Sequence, residues 1–125
     1  IMIMIIMSEI LEIAKMDPEK RKDEMLKLLG EILKQDDNTK VSTMKNLIME
    51  MSRADDKTYI GLCTTNMTIA SSLPDNQLSA FVSLRMRANS ELPDDIKSRD
   101  MKMIQETLNE LPADVKQRMM KFMGN

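Results

Sequence analysis

Residues 73–112 read LPDNQLSAFVSLRMRANSELPDDIKSRDMKMIQETLNELP, and a Leu-Pro pair recurs through them at Leu73-Pro74, Leu92-Pro93 and Leu111-Pro112, nineteen residues apart each time. Projected towards the N-terminus, the same phase lands on Asp55-Asp56, Asp36-Asp37 and Asp17-Pro18. Proline carries a backbone angle suited to the first helical position, and aspartate accepts hydrogen bonds from the free N–H groups there. A constant interval between such residues predicts short helices of similar length joined by tight turns.

Windows of nineteen residues from Met16 place Met25, Met44, Cys63, Val82, Met101 and Met120 in one column, all apolar. Columns three and four positions later carry Leu28, Leu47 and Ile104, then Leu29, Ile48, Met67 and Met86. These spacings describe one helix face, so each window has a buried stripe in the same phase as its start signal. Asn66, Arg85, Asn89, Gln105 and Thr107 interrupt the stripe, and identity between windows is weak. The fold class is all-α: six to seven short helices with a period near nineteen, in a single helical domain spanning residues 1–125. A helical-repeat array and a plain bundle of equal helices both satisfy this pattern.

The second helix is expected from about Pro18 to Lys34, with Met25, Leu28, Leu29, Ile32 and Leu33 inward. The third carries Met44, Leu47, Ile48 and Met51. The fourth holds Tyr59, Leu62, Cys63, Met67 and Ala70, and between Lys57 and Asp75 its only ionisable groups are Tyr59 and Cys63. A helix polar through Thr and Ser rather than Lys and Glu is expected nearest the centre. Pro74, Pro93 and Pro112 open the last three helices, whose inward residues are expected to be Leu78, Phe81 and Val82, then Ile96, Met101, Ile104 and Leu108, then Val115, Met119, Phe122 and Met123. The pairs Asp36-Asp37, Asp55-Asp56 and Asp94-Asp95 are read as helix caps rather than as acid–base chemistry.

Composition removes several classes of function. With 18 basic and 20 acidic side chains the net charge is −2, and residues 73–125 balance eight of each, so nothing selects nucleic acid. Tyr59, Phe81 and Phe122 are the only rings, too few for a base-stacking platform. Histidine is absent, which removes the usual general base and the imidazole metal ligand together. The three glycines, Gly30, Gly61 and Gly124, are scattered and form no phosphate loop. The single cysteine, Cys63, makes a reducing cytoplasm the default location, and its apolar neighbours mark it as a core residue rather than a reactive thiol. The expectation is a non-enzyme with no cofactor, no metal site and no catalytic residue.

Ile1-Met2-Ile3-Met4-Ile5-Ile6-Met7 is an uncharged apolar run, far short of the roughly twenty residues that span a bilayer. It lacks the basic lead-in and small-residue cleavage site of a signal peptide. Its readings are a docking element through Ile1, Ile3 and Ile5, towards another copy of the chain or a larger assembly, or an accident of start-site assignment ahead of Met7-Ser8-Glu9. Fifteen methionines far exceed ordinary usage. Methionine fills irregular cores and also makes adaptable binding surfaces. Met119, Met120, Phe122 and Met123 form an apolar cluster wider than one stripe and are the candidate partner surface. Beside them Lys97, Arg99 and Lys102 recur one period later as Lys116, Arg118 and Lys121, a candidate basic ridge weakened by interleaved aspartates.

The function expected on these grounds is a non-enzymatic protein-interaction or assembly subunit presenting a methionine-rich helical surface to a protein partner or to itself. The alternative is a nucleic-acid-associated or regulatory helical domain that uses the basic ridge, although the charge balance disfavours nucleic acid.

Overall fold

A computed structural model describes residues 9–124. After α1, described over residues 9–14, come α2 (Pro18–Leu33), α3 (Asp37–Met51), α4 (Asp56–Ser71), α5 (Asp75–Ser90), α6 (Asp94–Glu110) and α7 (Ala113–Phe122). The first residues of α2 to α7 are each nineteen positions after the last, so the phase read from sequence is the phase of the fold. No strand occurs among the described residues, and no helix of theirs is long and apolar enough to cross a membrane.

Two kinds of start maintain that phase. In the first half, Asp17, Asp36 and Asp55 accept hydrogen bonds from the backbone N–H of Lys20, Thr39 and Thr58 at 3.1, 2.9 and 2.8 Å. Each satisfies one donor that a helix start leaves free. In the second half Pro74, Pro93 and Pro112 stand at the same position with no side-chain bond. Their carbonyls accept from Leu78, Lys97 and Lys116 N–H at 2.9, 2.8 and 2.9 Å, and their fixed backbone angle aims the chain into the helix. Asp94 and Asp95 therefore lie in the first turn of α6 without making a cap bond, favoured there by the helix dipole alone.

The helices form a bundle-like array in which α2 to α6 pack chiefly on the helix two places along. α2, α4 and α6 stack in one layer, α3 lies on α5 in the other, and α7 closes against α4 and α5. As expected, α4 is central: it touches α2, α5, α6 and α7, and Tyr59, Leu62, Cys63, Met67 and Ala70 are all buried. Apolar residues of α1 to α4 form one cluster with Met103 of α6, and those of α4 to α7 form a second. A third joins Met44 and Ile48 of α3 to Ala88 and Leu92 of α5. Met25, Met44, Met51, Met67, Met103 and Met119 are buried, so much of the methionine excess fills core.

The structure corrects the sequence reading at two inward positions. Met101 is 40% exposed, because α6 turns Asp100, Met103, Ile104, Thr107 and Leu108 inward instead, one residue out of register with the apolar column. On that inward face Asp100 is ion-paired to Arg85. Leu33 is 52% exposed, and Leu26 of the same helix 47%. Both face a groove described below. Ile1, Ile3 and Ile5 lie outside the described residues.

Candidate functional site

Asp100 on α6 has no solvent exposure. Its Oδ1 accepts from the Tyr59 hydroxyl and from Arg85 Nη2, and its Oδ2 accepts from Arg85 Nη1 and Asn89 Nδ2, both at 2.8 Å. One carboxylate thus ties together α4, α5 and α6. Burial by itself would raise its pKa, but the two-pronged Arg85 pairing, reinforced by Tyr59 and Asn89, carries it below the ordinary aspartate value. Burial and the Asp100 charge push the Tyr59 hydroxyl in the other direction, well above its usual range. Cys63 is pushed up to about 11, chiefly by burial. An ionised carboxylate offers about four acceptor positions, and here four donors fill them. The group is a structural bolt with no free lone pair for a substrate proton.

The residues of the basic ridge divide into two groups. Arg99 donates to Ser52 O, Ala54 O and Asp56 Oδ1, the last two at 2.6 and 3.0 Å, and its guanidinium lies 5.2 Å from the centre of the Tyr59 ring. Arg118 donates to Ser71 O, Leu73 O and Asp75 Oδ1 at 2.8, 2.6 and 3.0 Å, and lies 5.3 Å from the Phe122 ring. Each guanidinium caps the carbonyls that end one helix and the aspartate that begins the next. Lys97 and Lys116 are half-buried, Lys102 and Lys121 exposed, and none of the four is in an ion pair among the described residues. The two arginines are thus committed inside the protein. Of the lysines beside them, Lys102 and Lys121 are the exposed ones, and the Lys121 ammonium lies 5.7 Å from the Phe122 ring.

The turn between α1 and α2 is capped the same way from another direction. Arg21 Nη1 is 3.4 Å from both Ala14 O and Met16 O, while its Nε donates to Thr65 Oγ1 at 2.6 Å. Ala14 and Met16 hold the same places in the nineteen-residue phase as Ser52 and Ala54. The position in phase with Arg99 is Gly61, which leaves open the space that Arg21 fills.

The remaining turn in this half, between α2 and α3, has no such arginine. Its counterpart of Arg99 is Ala80. Here the surface opens into a groove of about 520 Å³ between α2, α3, α4 and α5. Leu26 and Leu33 form its exposed lip, Val41, Ile69, Phe81 and Leu84 are among its apolar walls, and Asp37, Lys40, Gln77 and Arg87 edge it. Asn66 lines both this groove and a smaller pocket of about 80 Å³ among core residues, and its buried Oδ1 has no hydrogen-bond partner among the described residues. No group of three or more metal-ligating side chains occurs among the described residues.

Of the candidate partner residues, Met119 is buried at 3% exposure, while Met120, Phe122 and Met123 pack half-buried against the same cluster. They face α4 and α5 more than solvent, because α7 folds back on both helices. Sequence reasoning passed over the α2 groove, although α2 carries leucines on two faces and Leu26 and Leu33 stand seven residues apart on the second. It also passed over Asp100. Its partners Arg85 and Asn89 had stood out as polar residues on apolar columns. No family model matches the chain, and comparison with curated proteins and with solved structures returns no match.

Proposed function

We propose that this chain is a non-catalytic interaction module that receives an apolar segment of a protein partner in the groove between α2 and α5. The observation carrying the proposal is the pair Leu26 and Leu33, 47% and 52% exposed at the lip of a concave apolar surface with charged edges. Large apolar side chains on a rim around a groove forfeit burial energy unless something covers them, and such patches are where partners dock. An amphipathic helix laid into an apolar groove is a common mode of recognition that this geometry suits. The location expected from sequence, the terminal methionine cluster, is a weaker candidate because α7 spends most of it on the core.

The test places a photo-crosslinking residue at position 33 and asks what it captures in cells, beside a Leu26→Asp/Leu33→Asp variant. Both positions are exposed, so the double variant is expected to keep the wild-type melting temperature within a few degrees. One stoichiometric protein lost from the variant supports the reading, and a second copy of this chain in that role makes the assembly a homo-oligomer. Capture of nuclease-sensitive material instead, lost on replacing Lys97 and Lys116, returns the function to the nucleic-acid alternative.

A further inference from the structure

Two turns of the array share one arginine clamp, a third has a variant of it, and the groove lies at a turn where the clamping position is alanine. Arg99 and Arg118 reach their turns over the same sequence separations, 47, 45 and 43 residues to the two carbonyls and the aspartate. Applied to Ala80, those separations point to Leu33 O, Gln35 O and the Asp37 carboxylate. Leu33, Asp37 and Ala80 all line the groove. Among the described residues no donor reaches Leu33 O or Gln35 O, and the Asp37 side chain is 93% exposed, with only the adjacent Lys40 beside it at 3.6 Å. Asn66 Oδ1 adds a further acceptor without a partner. Leu33 O, Gln35 O and Asp37 thus hold the places in phase of the acceptors that Arg99 and Arg118 meet at two other turns, while Lys40, Gln77 and Arg87 supply donors at the groove's edge.

We infer that the groove takes an arginine side chain supplied by the partner, its guanidinium capping Leu33 O and Gln35 O and pairing with Asp37, while the apolar residues around it lie along Leu26 and Leu33. This rests on the groove being the docking site. Arginine fits better than lysine because the acceptors are spread over two carbonyls and a carboxylate, which a planar fork of five N–H donors can meet together and a single ammonium cannot. The two full clamps in this chain are both arginine.

The probe is a synthetic amphipathic helical peptide with one arginine flanked by leucines on the same face, and two controls in which that arginine is citrulline, of nearly the same shape but neutral, or lysine. Binding is followed through the backbone amide resonances of the full chain. The expected result is perturbation centred on residues 33–37, affinity at least tenfold higher for the arginine peptide than for either control, and loss of that preference in Asp37→Asn. Ala80→Arg supplies the arginine from within. It is expected to raise the melting temperature and to abolish peptide binding. Equal affinity of the arginine and citrulline peptides overturns this inference while leaving the groove as an apolar docking site. An Ala80→Arg protein that is no more stable and still binds overturns it as well. Absence of any peptide response in the groove overturns it too, and if position 33 also captures no partner, the proposed function falls with it.

Discussion

Arg21 stands where a side chain on Gly61 would be: a Cβ built on Gly61 lies 3.0 Å from Arg21 Nη1. The two positions exchange one role, since Gly61 is in phase with Arg99 and Arg118 and Arg21 delivers the guanidinium that Gly61 lacks. Arg21→Ala is expected to cost about 1.5–3 kcal/mol, the range for hydrogen bonds to a charged group. Adding Gly61→Arg to that variant should recover a large part of the loss, because it places an arginine where the other clamps have theirs. In the wild-type background the same Gly61→Arg should destabilise by crowding Arg21. Urea unfolding of the three variants checks the sign of each change.

Asp100→Asn should cost about 3–5 kcal/mol, because it leaves the Arg85 guanidinium buried without its counter-charge. Tyr59→Phe removes one of four donors and should cost less, about 1–2 kcal/mol. The pH dependence follows from the direction of the Asp100 shift. A carboxyl held below its ordinary value in the folded state adds stability that is full above the unfolded value, about 4, and is lost as pH falls from there through the folded value. Wild type should therefore lose stability steeply as pH drops below about 5, and Asp100→Asn should lose less over the same range. Asp36 and Asp55, lowered by their cap bonds, contribute a background slope common to both proteins.

What could be read from sequence was whatever repeats locally. The nineteen-residue phase marked helix starts at Asp17-Pro18, Asp36-Asp37, Asp55-Asp56, Pro74, Pro93 and Pro112, each within a residue of the observed first helical position, because capping depends on neighbours within one turn. The central place of α4 followed from its lack of charge. What could not be read depends on residues brought together over long separations. Asp100 looks like a solvated residue on a charged helix until α5 delivers Arg85 and Asn89 to it. Arg99 and Arg118 recur with lysines on either side, the pattern of a solvated helix face, but their length lets them cross to turns more than forty residues away. Leu33 sits at the end of an apolar stripe, and the groove it faces is lined in part by residues more than forty positions away, Ala80 among them.

Cys63 should behave as a buried thiol. It is 8% exposed and pushed up to about 11, so little thiolate exists at neutral pH and access is poor. Reaction with a thiol-specific disulfide reagent should be slow in native buffer and fast in denaturant, at a rate set by unfolding. Fast labelling of the native protein would mean that α4 is not enclosed as described.

Met67 on α4 borders the smaller pocket, is 7% exposed, and belongs to the cluster shared by α4 to α7. Met67→Ala should destabilise by about 2–4 kcal/mol, the usual range for truncating a buried methionine. The new space would enlarge a pocket already lined by core residues, so the neighbours have little to collapse upon, and the upper half of that range is expected. A loss below half a kcal/mol in denaturant unfolding would place α4 at the surface.

The two full clamps share no acceptor: Arg99 holds the turn between α3 and α4, Arg118 the turn between α4 and α5. Substitutions without common partners add, whereas those within one network do not. Arg99→Ala and Arg118→Ala should each cost about 1.5–3 kcal/mol, and the double variant should match their sum to within about 0.5 kcal/mol. Asp100→Asn combined with Arg85→Ala should fall well short of additivity, because the second substitution removes a charge that the first has already stranded. The same contrast tests the division of labour in the array. If the clamp pair couples as strongly as the Asp100 pair, the arginines hold one shared structure rather than two independent turns, and the comparison of Ala80 with Arg99 and Arg118 loses its basis.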